Sequence, residues 1–196
     1  MKRAFVVLLA LVFVFLSHMQ SFAGEPMKEL KVTVDKVIRI LKDPALKKPD
    51  KKELRKRLLR DAISERFDFE EMAKRALARH WRKRTPEERK EFVMLFRGLL
   101  ERTYLRRIEQ YRDERIIYKD ERIDPPYALV KTVVITSQSA EIPIEYRMIK
   151  KGNDWKVYDV TIEGVSLVNN YRRQFNRIIR SSSYEELVRR LKRKVG

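Results

Sequence analysis

The sequence contains no cysteine among its 196 residues. This absence excludes disulfide bonds, thiolate zinc sites, a cysteine nucleophile and a lipoprotein signal, which would need a cysteine to carry the lipid. Histidine is also scarce, with two residues, and no spacing of His, Asp or Glu is typical of a metal site. Gly164-Val165-Ser166 is followed by Leu167 and Val168, so it is not a nucleophile elbow. We therefore expect no enzymatic activity, no metal and no cofactor.

Glycine and proline are few, at 5 and 7 residues, whereas hydrophobic residues make up 43% of the chain. This composition excludes a disordered tail, a collagen-like repeat and a polytopic membrane protein. Acidic residues are also outnumbered: the chain has 46 Lys and Arg residues but 28 Asp and Glu residues, which gives a formal charge of +18. Such a charge favours anionic partners, either nucleic acid or a phospholipid surface.

The first residues decide between those partners. Lys2 and Arg3 precede an unbroken apolar run over 4–16, and Ser21-Phe22-Ala23 has the small-x-small pattern of a signal-peptidase site. The alternative is a membrane anchor, but a 13-residue helix spans roughly 20 Å, short of a hydrocarbon core of about 30 Å. We predict a signal peptide over 1–23 and a single exported domain over 24–196. An exported protein meets membranes rather than nucleic acid.

The exported part begins with helical patterns. Leu30, Val34, Val37, Ile38 and Leu41 share one helix face. Asp50 with Glu53, Asp68 with Glu71, and Ser183 with Glu186 have the spacing of a capping box, and Thr85-Pro86-Glu87-Glu88 is the strongest helix start. A long helix is expected from there to about Arg112, with apolar residues on two sides. His80 is expected at a helix C-terminus, where a basic side chain suits the helix dipole.

The apolar period changes after Arg115. Short strands are predicted at 116–118, 127–137, 142–150 and 155–162, with a hairpin turn at Gly152 and a second turn at Gly164. Helical spacing returns from Leu167. Helices, then a strand meander, then closing helices predict an α+β fold: a mainly antiparallel sheet of four to five strands with helices packed on one face.

The segment 142–175 carries a family resemblance. Its strings Trp155-Lys156-Val157-Tyr158-Asp159-Val160 and Glu163-Gly164-Val165-Ser166-Leu167-Val168, with Asn170-Tyr171-Arg172, resemble the MlaC-type periplasmic phospholipid-binding proteins, also called toluene-tolerance auxiliary proteins. The stretch from Phe67-Asp68-Phe69 through Tyr104 is similar as well, so the resemblance covers essentially the whole exported chain.

This resemblance implies a soluble monomeric carrier with phospholipid as its ligand. The family moves phospholipid between an outer-membrane lipoprotein–porin complex and an inner-membrane ABC transporter bearing MCE domains, which it contacts transiently, and helps to maintain outer-membrane asymmetry. The acyl chains would lie in a cavity between sheet and helices. The sequence is rich in apolar residues and has no catalytic set, which agrees with a carrier. Two C16 chains exposed to water cost on the order of 25 kcal/mol, so a carrier must shield them.

The candidate lipid-binding residues come from the strand faces, the closing helix and the long helix. They are Phe96, Leu100, Tyr104, Ile144, Tyr146, Met148, Tyr158, Val160, Ile162, Val165, Leu167 and Tyr171. Arg147 and Arg172 are candidate headgroup contacts. The alternative function is an exported basic adaptor with a fully packed core, which would bind an acidic protein or a membrane surface.

Overall fold

A computed structural model describes residues 25–196, so the predicted signal peptide lies outside the described residues. The helices are α1 (Glu25–Lys42), α2 (Lys52–Arg66), α3 (Phe69–Leu77), α4 (Pro86–Glu109), α5 (Leu167–Ser181) and α6 (Tyr184–Val195). The strands are β1 (Arg115–Asp124), β2 (Tyr127–Ile135), β3 (Glu141–Lys151), β4 (Asp154–Ile162) and β5 (Val165–Ser166). They form one antiparallel sheet in the order β1-β2-β3-β4-β5. The predicted α+β class is confirmed.

Helix starts follow the side chains that cap them. The Thr85 hydroxyl accepts from the Glu88 backbone N–H at 3.2 Å, and the Glu88 carboxylate accepts from the Thr85 N–H at 2.8 Å, which is the predicted capping box. At the start of α6 the Ser183 hydroxyl accepts from the Glu186 N–H at 3.2 Å, which is the N-cap half of the predicted box. Asp50 does not cap a helix, contrary to its spacing, because Pro49–Lys51 forms a short 3-10 turn before α2.

Strand β1 is much longer than its sequence predicts. The apolar pattern covers only 116–118, but β1 pairs with β2 along its full length, from Arg115 opposite Ile135 to Asp124 opposite Tyr127. Charged residues after Tyr118 interrupt the apolar pattern that would predict a strand. The strand forms nevertheless, because pairing with β2 overrides local propensity at this edge. A register irregularity between Tyr118 and Asp120 lets the strand continue.

The closing helices and α4 build a core separate from the sheet. Phe92 and Phe96 of α4 meet Phe175 of α5 at ring-centroid distances of 5.6 and 5.5 Å. Gly98 makes the approach of α6 possible, because a Cβ there would lie 2.6 Å from a methyl group of Val195. The opposite side of α4 carries Leu100 and turns toward the sheet, so the predicted two-sided burial of this helix is confirmed.

A polar tie joins α1, α2 and β4. Arg66, at the end of α2, donates to the Glu29 carboxylate of α1 and to the Trp155 carbonyl oxygen at 2.6 Å. The same carboxylate accepts from the Trp155 backbone N–H at 3.1 Å. The Arg66 side chain is 12% exposed and that of Glu29 23% exposed, so water screens this pair only partly.

We expect Arg66→Ala to lower the free energy of unfolding by about 2 kcal/mol or more, because it leaves the half-buried Glu29 carboxylate and the Trp155 carbonyl without their donor. Lys36→Ala is the matched control: Lys36 also links α1 to α2, through Glu65, but these side chains are 40% and 56% exposed. It should cost less than about 1 kcal/mol. Urea denaturation followed by tryptophan fluorescence measures both, and equal losses would contradict the role of the tie.

Candidate functional site

A cavity of about 520 Å³ lies between α1, α2, α4 and the inner face of the sheet. Its size falls within the range of about 300–1,000 Å³ typical of ligand sites. Its apolar wall is formed by Leu30, Val34, Val37, Ile38, Leu41, Ile63, Phe67, Phe69, Met72, Leu100, Leu105, Ile108, Ile116, Val134, Ile142, Ile144, Val160, Ile162 and Leu167.

Many wall residues keep accessible surface although they point inward. Val34, Ile38, Ile63 and Ile144 are only half-buried, whereas Phe92 and Phe96 of the helical core are fully buried. Apolar side chains that face a space rather than one another can bury their exposed surface against an apolar ligand. Each Å² removed from water in this way contributes about 25 cal/mol.

Five charged residues line the cavity beside its apolar wall: Arg60, Glu101, Arg107, Glu114 and Glu163. Arg107 and Glu163 line the cavity and are exposed, so they mark where it opens to solvent. Glu101 also lines it, and its carboxylate is held by Arg97 at 2.8 Å. The arrangement is an apolar interior with a charged rim, which suits an amphiphile with a long apolar part and a polar end.

Tyr146 places one hydroxyl on the wall of the inner sheet face. Burial raises the pKa of Tyr146 to about 12, and a side-chain hydrogen bond with Thr132 opposes that shift. Burial likewise raises the pKa of Tyr118, which packs near the same sheet face. A neutral phenol is therefore favoured here, and the sheet side of the cavity carries no negative charge from these residues.

The structure brings seven candidate residues together on the cavity wall. They are Leu100, Tyr104, Ile144, Tyr146, Val160, Ile162 and Leu167.

Five candidates lie elsewhere. Phe96 and Tyr171 pack into the helical core, with ring centroids 5.3 Å apart. Met148 is fully buried beneath the sheet, and Val165 is 51% exposed. Tyr158 lies beside Arg75, whose guanidinium stacks 4.0 Å above its ring.

A β-bulge explains the position of Tyr158. Arg147 of β3 pairs with Asp159, but Met148 pairs with Val157, so Tyr158 has no partner on β3. The extra residue shifts the alternation of side chains. Val157 and Val160 therefore share the inner face, and the predicted common face of Tyr158 and Val160 does not hold.

The sequence reasoning missed the contribution of α1 and α2. Val34, Val37 and Ile38 belong to the apolar stripe recognised on α1, and Ile63 lies on α2. The stripe showed that this helix face is buried, but it could not show that the face borders a cavity.

The candidate headgroup residues line a second cavity, of about 340 Å³, and not the first. We call it the arginine cavity; its lining residues are Arg75, Ala78, Arg147, Tyr158, Asp159, Val168, Asn169 and Arg172. Strand β4 and the first turn of α5 separate the two spaces, since Leu167 lines the first cavity and Val168 the arginine cavity.

His80 lies in a 3-10 segment after α3, where its Nε2 is 3.0 Å from the Asn176 Oδ1. Between residues 25 and 196, no group of three or more His, Asp or Glu side chains could hold a metal ion. Within the same range, no helix combines the length and apolar character needed to cross a bilayer.

The raised pKa of Tyr146 predicts an alkaline loss of stability. A folded-state pKa of about 12, above the usual value of about 10, means that the stabilising contribution is present below pH 10 and is lost as the pH rises toward 12. Tyr146→Phe should flatten the fall of unfolding free energy in that window by up to about 1.4 kcal/mol per pH unit, the value for one proton. Urea titrations measure this; wild-type and variant curves that run parallel above pH 10 would contradict it.

Comparison with known proteins gives a family. The sequence profile of the MlaC protein family matches residues 31–193. The intermembrane phospholipid transport system binding protein MlaC of Haemophilus influenzae is 21% identical over 139 residues, which cover 68% of this chain and 65% of the relative. A solved structure of the phospholipid-binding protein from Ralstonia solanacearum, in complex with a phospholipid, matches with a TM-score of 0.78 and 29% identity, over 87% of this chain and 97% of that chain. The chain belongs to the MlaC protein family.

Proposed function

We propose that the protein is a periplasmic carrier of phospholipid, and that the acyl chains of the bound phospholipid occupy the cavity of about 520 Å³. The observation that carries the proposal is an apolar cavity with a charged rim in a fold that matches a protein solved with a phospholipid. The adaptor alternative requires a fully packed core, and the open cavity argues against it. The proposal includes no catalytic step.

The energetics favour a cavity with this distribution of polar groups. Each CH₂ group removed from water contributes about 0.8 kcal/mol, so the tails supply most of the affinity. The headgroup stays near the exposed Arg107 and Glu163, where it keeps its contact with water. A carrier needs this division, because a buried headgroup would require several paired polar partners.

The proposed partners follow the family resemblance. The carrier would receive or deliver lipid at an outer-membrane lipoprotein–porin complex and at an inner-membrane ABC transporter bearing MCE domains, and so maintain outer-membrane asymmetry. Arg102, Arg106 and Arg107 of α4 are exposed, and Arg107 also borders the cavity. Exposed cations beside the opening would speed transient docking on acidic surfaces.

Bound lipid is tested directly by organic extraction of the purified protein and mass spectrometry. Val34→Glu provides the sharp variant, since it places a carboxylate on the cavity wall. We expect loss of phospholipid, because the tails would desolvate the charge, while the empty cavity lets water reach it and the fold persists. Circular dichroism confirms folding.

Val32→Glu is the matched control on the same helix, because Val32 is 58% exposed. It should retain phospholipid near the wild-type amount. A wild-type protein that carries no phospholipid, or a Val34→Glu variant that keeps it, would overturn the assignment of this cavity.

Export is tested separately. The signal pattern that ends at Ala23 predicts a mature N-terminus at Gly24, which leaves a formal charge of +16. N-terminal sequencing of protein from the periplasmic fraction checks this, and a chain that starts at Met1 and stays in the membrane would contradict it.

A further inference from the structure

The arginine cavity differs in its lining from the first cavity, whose wall is mostly apolar. Three guanidinium groups, a phenol and an amide border a space of about 340 Å³ on the other side of β4. Proteins use clustered arginines where planar or tetrahedral oxyanions must be recognised, because each guanidinium presents paired N–H donors.

Arg75 is held in place before any ligand arrives. Its Nε donates to the Glu71 carboxylate at 2.8 Å, and its guanidinium lies 4.0 Å from the centroid of the Tyr158 ring. The Arg75 side chain is half-buried, and its stacking on the Tyr158 ring fixes the plane of the guanidinium. A side-chain hydrogen bond with Tyr127 also holds the group. The N–H groups left over are pre-oriented donors, which lowers the entropy lost on binding.

Arg147 and Arg172 supply charge without protein partners. Both are exposed, and within residues 25–196 neither has a carboxylate within 4.0 Å of its guanidinium. Asp159 lies opposite Arg147 in the strand register, but it accepts instead from the Ser166 hydroxyl at 2.5 Å and from the Val168 N–H at 3.0 Å.

Asp159 determines which oxyanion fits. Each of its oxygens accepts one hydrogen bond from the protein and has a further lone pair. A fully deprotonated anion beside this carboxylate would be repelled. A phosphate group that keeps one proton would instead donate to it while its other oxygens accept from the arginines.

We propose that the arginine cavity binds a protonated phosphate group, either inorganic phosphate or the phosphomonoester headgroup of a lipid. The inference does not rest on the lipid-carrier function, since the two cavities lie on opposite sides of β4. It also assigns Arg147 and Arg172 to an anion other than the headgroup of the carried lipid.

Isothermal titration of the purified protein with inorganic phosphate at neutral pH tests the site. We expect saturable binding of phosphate and at least about tenfold weaker binding of sulfate at equal ionic strength, because sulfate has no proton to donate to Asp159. No saturable phosphate binding, or equal binding of both anions, would overturn the proposal.

Substitutions then locate the binding. Arg147→Gln and Arg172→Gln should each weaken phosphate binding by about tenfold or more. Arg173→Gln is the matched control, because Arg173 is an exposed neighbour on α5 that does not line the cavity. Equal losses in all three variants would show non-specific attraction and contradict the site.

Vesicles distinguish the two sources of the phosphate. Vesicles of phosphatidylcholine with and without phosphatidic acid are pelleted with wild type, Arg147→Gln and Arg173→Gln. A selective loss for Arg147→Gln on phosphatidic acid assigns the site to a lipid headgroup. Equal pelleting of all three, together with the phosphate titration above, assigns it to free phosphate.

Discussion

The structure depends on keeping an apolar space open inside a small domain. A dry cavity costs about 24 cal/mol per Å³, so the volume of about 520 Å³ would cost on the order of 12 kcal/mol if it stayed empty. This is comparable with the whole stability of a typical domain, about 5–15 kcal/mol. An apolar ligand, or water that enters from the open side, offsets this cost.

Two core clusters border this space and resist its collapse. The aromatic cluster around Phe92 and Phe175 closes the helical part and reaches the cavity wall through Met72 and Leu100. A second cluster around Val130 and Val157 packs the N-terminal half of α1, through Leu30, onto the sheet. Arg66 then fixes α1 and α2 against β4. The helices and the sheet that border the cavity are thus also fixed by packing outside it, at Phe92 and Phe175 and at Val130 and Val157.

The helix starts and the order of elements follow from the sequence because caps and periodicity are local. The capping box at Thr85 and the stripe on α1 need only neighbours within a few turns. The cavity wall is partly predictable for the same reason, as Ile144 and Tyr146 alternate regularly on β3. The error at Tyr158 arises from a bulge that is set by pairing with β3, and no pattern within β4 encodes it. Phe96 and Tyr171 show a related limit: periodicity identifies a buried face, but only the packing of α4 on α5 decides between core and cavity.

The bulge at Tyr158 also has a consequence for electrostatics. Because it turns Tyr158 away from the inner face, the ring is free to support Arg75 on the outer side. The adjacent Asp159 then receives the hydroxyl and N–H groups that begin α5. One extra residue in β4 thus keeps the phenol of Tyr158 off the cavity face and places it beside Arg75, Arg147 and Asp159 on the opposite side. Val160 and Ile162 of β4 line the first cavity, whereas Tyr158 and Asp159 of the same strand line the arginine cavity. A regular strand with the alternation of its C-terminal half would have turned the phenol of Tyr158 into the first cavity and left Arg75 without its stacking partner.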